Sequence, residues 1–90
     1  MSFFQIDGIK LRAKTPIPVR LTVDENEEYF FAANDPLAVY GTGSTPEEAF
    51  SDFESQIIHF YRYYRDLQQN QVIGEALRLK NLFAETFVIE

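Results

Sequence analysis

Gly43-Ser44-Thr45-Pro46-Glu47-Glu48-Ala49-Phe50 decides the fold, because its local chemistry alone reads as the start of a helix. Thr45 suits the N-cap, Pro46 brings a φ already fitted to the first helical position, and Glu48 completes a Thr-x-x-Glu capping box. Glu47 and Glu48 also lie where the helix dipole favours negative charge. Downstream, Phe50, Phe53, Ile57, Phe60, Tyr61 and Tyr64 recur at steps of three and four. On a helical wheel they form one apolar stripe, with Leu67 at its margin. Burying each such side chain is worth roughly 1.5–3 kcal/mol, so this stripe is the largest expected source of stability.

Upstream, the periodicity changes from helical to alternating. Asp7-Gly8 is a two-residue hairpin signal, since both central residues of a type I′ turn need positive φ. Ile9, Leu11 and Ala13 then alternate with Lys10, Arg12 and Lys14, which predicts a strand with one wet face. Pro16 and Pro18 interrupt the pattern, because proline removes donors from a sheet ladder. Alternation resumes through Ile17, Val19, Leu21 and Val23. Asp24-Glu25-Asn26-Glu27 reads as a turn, with Asn26 able to take the left-handed region. Tyr29 to Ala33 is the return strand, Asn34-Asp35-Pro36 a further turn and Leu37 to Tyr40 a third strand, which Gly41-Thr42-Gly43 leaves.

Beyond Leu67 the pattern loosens at Gln68-Gln69-Asn70-Gln71. Glu75 to Phe83 predicts a second, shorter helix with Gly74 at its start, and Thr86 to Ile89 a last strand closing the sheet. The expected class is α+β: a three- to five-stranded antiparallel sheet carrying one long amphipathic helix, with an N-terminal hairpin and a short C-terminal helix and strand. Its 90 residues make one domain. Within it, 1–16 is a hairpin extension, 17–67 the core and 68–90 a tail.

Composition narrows the function classes. The chain has no Cys, so disulfide frameworks and zinc ribbons are excluded. No apolar run approaches the ~20 residues of a membrane helix. The start, Met1-Ser2-Phe3-Phe4-Gln5, lacks the pattern of a signal peptide, and a cytoplasmic location is expected. Net charge is −6, and nine carboxylates lie between Leu21 and Tyr61 without one Lys or Arg. Such a surface repels a phosphate backbone and attracts a basic protein. Aromatics are 16% of the chain, more than a small core readily hides, which points to a homo-oligomer or a protein partner.

Catalytic chemistry finds little support. His59 is the only histidine and lies opposite the apolar stripe, where an exposed role is the simplest account. Glu47, Glu48, Asp52 and Glu54 read as a capping group followed by a solvated face, not as a metal site. Gly41 and Gly43 lie between a strand and a helix, but the Gly-Lys-Ser/Thr ending of a phosphate loop is missing. Neither catalytic residues nor a cofactor or metal is therefore expected. Lys10, Arg12 and Lys14 share one strand face, read as a solvated edge or, more sharply, an anion or RNA contact. Outside the stripe, Ile58 and Tyr63 flank the core face beside His59, Arg62, Arg65 and Asp66. Tyr and Arg are common interface anchors. The expected partner-binding residues are Ile58, His59, Arg62, Tyr63 and Asp66, while Gly43, Thr45, Pro46 and Glu48 form the structural cap.

These residues resemble the HicB-like antitoxin family. The strand Ile17 to Val23, the strand Glu28 to Ala33, the short strand Leu37 to Tyr40 and the Gly43-Ser44-Thr45-Pro46-Glu47-Glu48-Ala49 helix start carry the likeness, over about residues 17–67. The resemblance implies a β-β-β-α-β arrangement, like a trimmed ribonuclease H domain without its active site. It also implies binding and blocking of a small ribonuclease toxin encoded alongside, and oligomerisation. Three features depart from the family: Asp35-Pro36-Leu37 replaces a longer Pro-x-Leu-Pro-Gly, a basic hairpin precedes the first family strand, and the tail after Leu67 is too short and too weakly basic for a DNA-binding domain. Direct DNA repression is therefore not expected. The alternatives are a self-assembling, non-catalytic scaffold or accessory domain and, third, RNA binding through Lys10, Arg12 and Lys14.

Overall fold

Alternating apolar and charged residues build the first layer. The computed structural model describes residues 1–6, 8–68, 70 and 73–89; Asp7 of the expected hairpin turn, and Gln69 and Gln71 of the polar patch, lie outside them. Strands β1 (Phe3–Ile6) and β2 (Ile9–Ala13) pair antiparallel, with Phe4 opposite Leu11 and Phe3 opposite Arg12. Phe4, Leu11 and Ala13 are buried, while Phe3, Lys10 and Arg12 are exposed. Gly8 turns the chain at φ 80°, a conformation that side chains resist.

The central meander forms a second sheet of β3 (Arg20–Val23), β4 (Phe30–Asn34) and β5 (Val39–Gly43), all antiparallel, with β4 in the middle. β3 begins at Arg20, three residues later than the alternation suggested. Residues 17 and 18 are bonded elsewhere: Ile17 N–H donates to the Met1 carbonyl at 2.6 Å, and the Asn34 amide donates to the Pro18 carbonyl at 2.9 Å. In the acidic turn it is Glu27, not Asn26, that takes the left-handed conformation, at φ 58°. Asp24 organises that turn by accepting the N–H groups of Glu28 at 2.7 Å and Tyr29 at 3.1 Å.

α1 (Pro46–Asp66) starts where its capping chemistry places it. Thr45 Oγ1 accepts the Glu48 N–H at 3.1 Å, and Glu48 reaches back to the N–H of Ser44 at 2.7 Å and its hydroxyl at 2.5 Å. The return bond thus goes one residue beyond the N–H that a standard capping box would satisfy. Gly41 and Gly43 belong to β5 instead of leaving it, and the helix explains why. A Cβ on Gly41 would lie 2.3 Å from the Phe53 amide nitrogen and 2.6 Å from the Ala49 carbonyl; one on Gly43 would lie 2.4 Å from the Glu48 Cβ. The helix backbone rests directly on the strand, which only glycine permits.

Along the apolar stripe, Phe53, Ile57 and Tyr64 are buried, whereas Phe50, Phe60 and Tyr61 are half-buried at its margins. After Gly74, α2 (Glu75–Thr86) runs three residues past the expected Phe83 and passes straight into β6 (Phe87–Ile89). β6 pairs antiparallel with β2, giving the order β1-β2-β6. The closing strand thus extends the hairpin sheet and leaves the meander with three strands. α1 is the layer common to both sheets, packing against β1, β4, β5 and α2. A chain of rings ties the parts together: Phe53 to Phe4 at 6.5 Å, Phe4 to Phe87 at 5.7 Å, Phe87 to Phe83 at 5.5 Å and Phe83 to Tyr64 at 5.3 Å between centroids. The protein is an α+β domain whose described residues share an aromatic-rich core cluster.

Candidate interaction surfaces

The helix face expected to meet a partner is present only in part. His59, Arg62, Tyr63 and Asp66 are exposed, Tyr63 at 52%. Ile58 is not: at 1% exposure it belongs to the core cluster. The expectation for Ile58 assumed a helix lying on one sheet, with one buried stripe. With β4 and β5 on one side and β1 and α2 on others, the buried arc widens to include it. The remaining four residues do not form an acidic patch. Asp66 is paired with Arg65 at 3.3 Å, and the rings of His59 and Tyr63 lean edge-on against Phe60 and Tyr64, each at 5.2 Å.

The helix carboxylates have structural work. Glu48 holds Ser44, and those hydrogen bonds keep its pKa below the usual carboxylate value. Asp52 accepts the Thr42 N–H at 2.8 Å and so occupies a donor on the outer edge of β5. Glu75 is likewise held below its usual value by hydrogen bonding to Arg78. Among the described residues no three His, Cys, Asp or Glu side chains converge as a metal site. A cleft of about 150 Å³ lies between α1 and α2, lined by Tyr61, Tyr64, Arg65, Lys80, Phe83 and Ala84. That is well below the ~300 Å³ of ordinary ligand pockets. Lys80 donates to the Tyr64 carbonyl there at 2.6 Å, and burial pushes the Tyr64 phenol pKa up.

Sequence reasoning missed the outer face of the β3-β4-β5 sheet. Directly opposed residues share a face, so Ala32 lies with Leu21 and Gly41 on the helix side. Phe31 lies with Thr22 and Thr42 on the other, as does Tyr40, which opposes Ala33. Alternation adds Tyr29, one step before β4. Tyr29, Phe31 and Tyr40 are 55%, 40% and 56% exposed. At one end this face meets the turn carrying Asp24, Glu25, Glu27 and Glu28. At the other it meets Asp35, which accepts from Arg20 at 2.7 Å and raises the guanidinium pKa. The signal for it was in the sequence, in small rather than large residues: Ala32, Gly41 and Gly43 mark where the helix lies, and of the sheet's aromatics Tyr29, Phe31 and Tyr40 take the opposite side while Phe30 stays on the helix side.

The outer face of β1-β2-β6 differs in kind. Phe3, Lys10 and Arg12 occupy it with Val88, and the Lys10 ammonium stands 5.8 Å from the Phe3 ring centroid. Lys14 is exposed one residue past β2, its N–H donating to the Thr86 carbonyl at 2.9 Å. The basic row therefore stays at the surface, on the sheet that does not carry the acidic turn.

Fold and surfaces together define a small α+β domain whose clearest surface feature is an uncovered aromatic sheet face. No helix among the described residues is long and apolar enough to cross a membrane. Searches of family models, curated proteins and solved structures found no match to this chain.

Proposed function

We propose that this is a non-catalytic, antitoxin-like binding domain that sequesters a small basic protein, such as a ribonuclease toxin encoded beside it. The supporting observation is the outer face of β3-β4-β5. Exposed Tyr29, Phe31 and Tyr40 supply rigid anchors, and the acidic turn at its border, on a chain of charge −6, supplies attraction for a basic surface. The resemblance of residues 17–67 to HicB-like antitoxins supports the same partner class and a cytoplasmic setting. His59, Arg62, Tyr63 and Asp66 on α1 are the other candidate contact, without Ile58. The test is co-expression with the product of the neighbouring open reading frame, followed by calorimetric titration. Binding with relief of toxicity is expected. A neighbour that neither binds nor is toxic contradicts the reading.

A second reading, self-assembly into a non-catalytic oligomer, draws on a different observation: β3 is exposed at every residue and forms an open edge of its sheet.

A further inference from the structure

The two edges of the β3-β4-β5 sheet are treated differently. On β5, Asp52 occupies the outward Thr42 N–H. On β3, the Asp24 N–H donates to the Tyr29 carbonyl at 3.0 Å, which fixes the phase of the ladder. In an antiparallel pair alternate residues exchange backbone bonds. Arg20, Thr22 and Asp24 therefore turn their peptide groups towards β4, and Leu21 and Val23 turn theirs outwards. No Pro, Gly or Lys interrupts Val19 to Val23; of the devices that commonly protect an edge strand, this stretch has its shortness and the charge of Arg20. Both side-chain faces of β3 are exposed, including Leu21 and Val23, because α1 lies over β5 and does not reach them.

We infer that β3 pairs antiparallel with β3 of a second copy, about a two-fold axis at Thr22, joining two sheets into one of six strands. The register follows from two requirements, backbone phase and charge match. Outward peptide groups must meet outward groups, which admits only steps of two residues. Thr22 opposite Thr22 then places Leu21 against Val23 on the helix side and Arg20 against Asp24 on the outer side. A slip of two residues either way would oppose Arg20 to Thr22 or to Asn26 and lose the charge match. Asp24 uses Oδ1 for its own turn, and Arg20 holds Asp35 of its own chain. In the dimer each guanidinium is therefore shared between that Asp35 and the second oxygen of the other copy's Asp24. The helices do not collide: each lies over β5, two strand spacings or ~10 Å in from the β3 edge. The axis stands perpendicular to the sheet, so both aromatic outer faces lie side by side. This pairing does not depend on the identity of the basic partner proposed above.

The absence of cysteine makes the register directly readable. In the inferred dimer the Thr22 Cα atoms form a non-hydrogen-bonded pair ~4.5 Å apart, within disulfide range. The two Leu21 residues, like the two Val23 residues, lie on a diagonal of ~7–8 Å, which a disulfide does not bridge without backbone movement. The experiment compares Thr22→Cys, Leu21→Cys and Val23→Cys full-length chains in glutathione redox buffer, with sedimentation equilibrium of the unmodified chain at about 100 μM, enough to populate a contact of micromolar Kd. The unmodified chain should sediment as a dimer, and Thr22→Cys should cross-link at least about tenfold faster than the others. Leu21→Pro removes an outward N–H without touching the ladder to β4, and should weaken the dimer by about tenfold or more while leaving the circular dichroism unchanged. A monomer at that concentration, or Leu21→Cys or Val23→Cys cross-linking as fast as Thr22→Cys, overturns the inference. Because no partner protein is added, these outcomes are independent of the antitoxin-like reading.

Discussion

The hairpin sheet β1-β2-β6 turns Phe4 and Phe87 into the core and shows Phe3, Lys10 and Arg12 to solvent. The meander sheet β3-β4-β5 differs: beside half-buried Phe30 and buried Val39, its helix side carries small residues. Ala32, Gly41 and Gly43 lie on its helix side, while Tyr29, Phe31 and Tyr40 stay exposed. The difference follows from how closely α1 approaches each sheet. Over β5 the helix backbone touches the strand, so nothing larger than Gly fits at Gly41. On the other side rings fill the space between helix and sheet, as Phe53, Phe4 and Phe87 show. An aromatic on a strand is therefore no guide to burial until the helix is placed.

The comparison breaks most easily at Gly41. Gly41→Ala should destabilise the domain by about 3 kcal/mol or more, since the neighbouring atoms are helix backbone and cannot swing aside. Gly8→Ala, with open space but φ 80°, should cost about 1 kcal/mol from backbone strain. Thermal and urea unfolding of both variants would check this. Equal losses would mean that the helix does not rest on β5.

An effect of similar size is expected in the stripe itself. Phe53→Ala should cost roughly 3–5 kcal/mol, because Phe53 is fully buried between the meander and Phe4. Phe60→Ala should cost about 1–2 kcal/mol, since half-burial leaves part of its surface wet. Reversal of that order in denaturant melts would mean that α1 buries the Phe60 side of its surface more deeply than the Phe53 side.

A smaller effect is expected from acid. Hydrogen bonding lowers the pKa of Glu48 and Glu75 in the fold, so the unfolded chain binds more protons across that window. Stability from these groups is fully present above the ordinary carboxylate pKa and is lost as pH falls through the lower folded value. Glu48→Gln should accordingly flatten the dependence of Tm on pH in the acid range. An unchanged slope would place the acid sensitivity elsewhere.

Much of this fold was legible because its signals are local. Thr45, Pro46 and Glu48 set the helix start through bonds within a few residues. Lys10 and Arg12 alternate cleanly with Leu11 and Ala13, and β2 formed with that polarity. What stayed hidden depends on which elements meet. Ile58 disappears into the core because further elements pack beside the helix, and β6 joins β2 instead of the meander. Tyr29-Phe30-Phe31 offers three aromatics in succession, so period-2 reading cannot say which face is wet. Small residues across the sheet decide it.

We propose that the aromatic outer face of the meander sheet holds the partner. The most direct test is calorimetric titration of the neighbouring gene product against Phe31→Ser, Tyr63→Ser and Phe3→Ser, each verified as folded. All three side chains are substantially exposed, so stability should change little. Phe31→Ser should weaken binding by about tenfold or more, with the other two near the unmodified value. Full affinity in Phe31→Ser together with loss in Tyr63→Ser would contradict the account and move the partner to the α1 face.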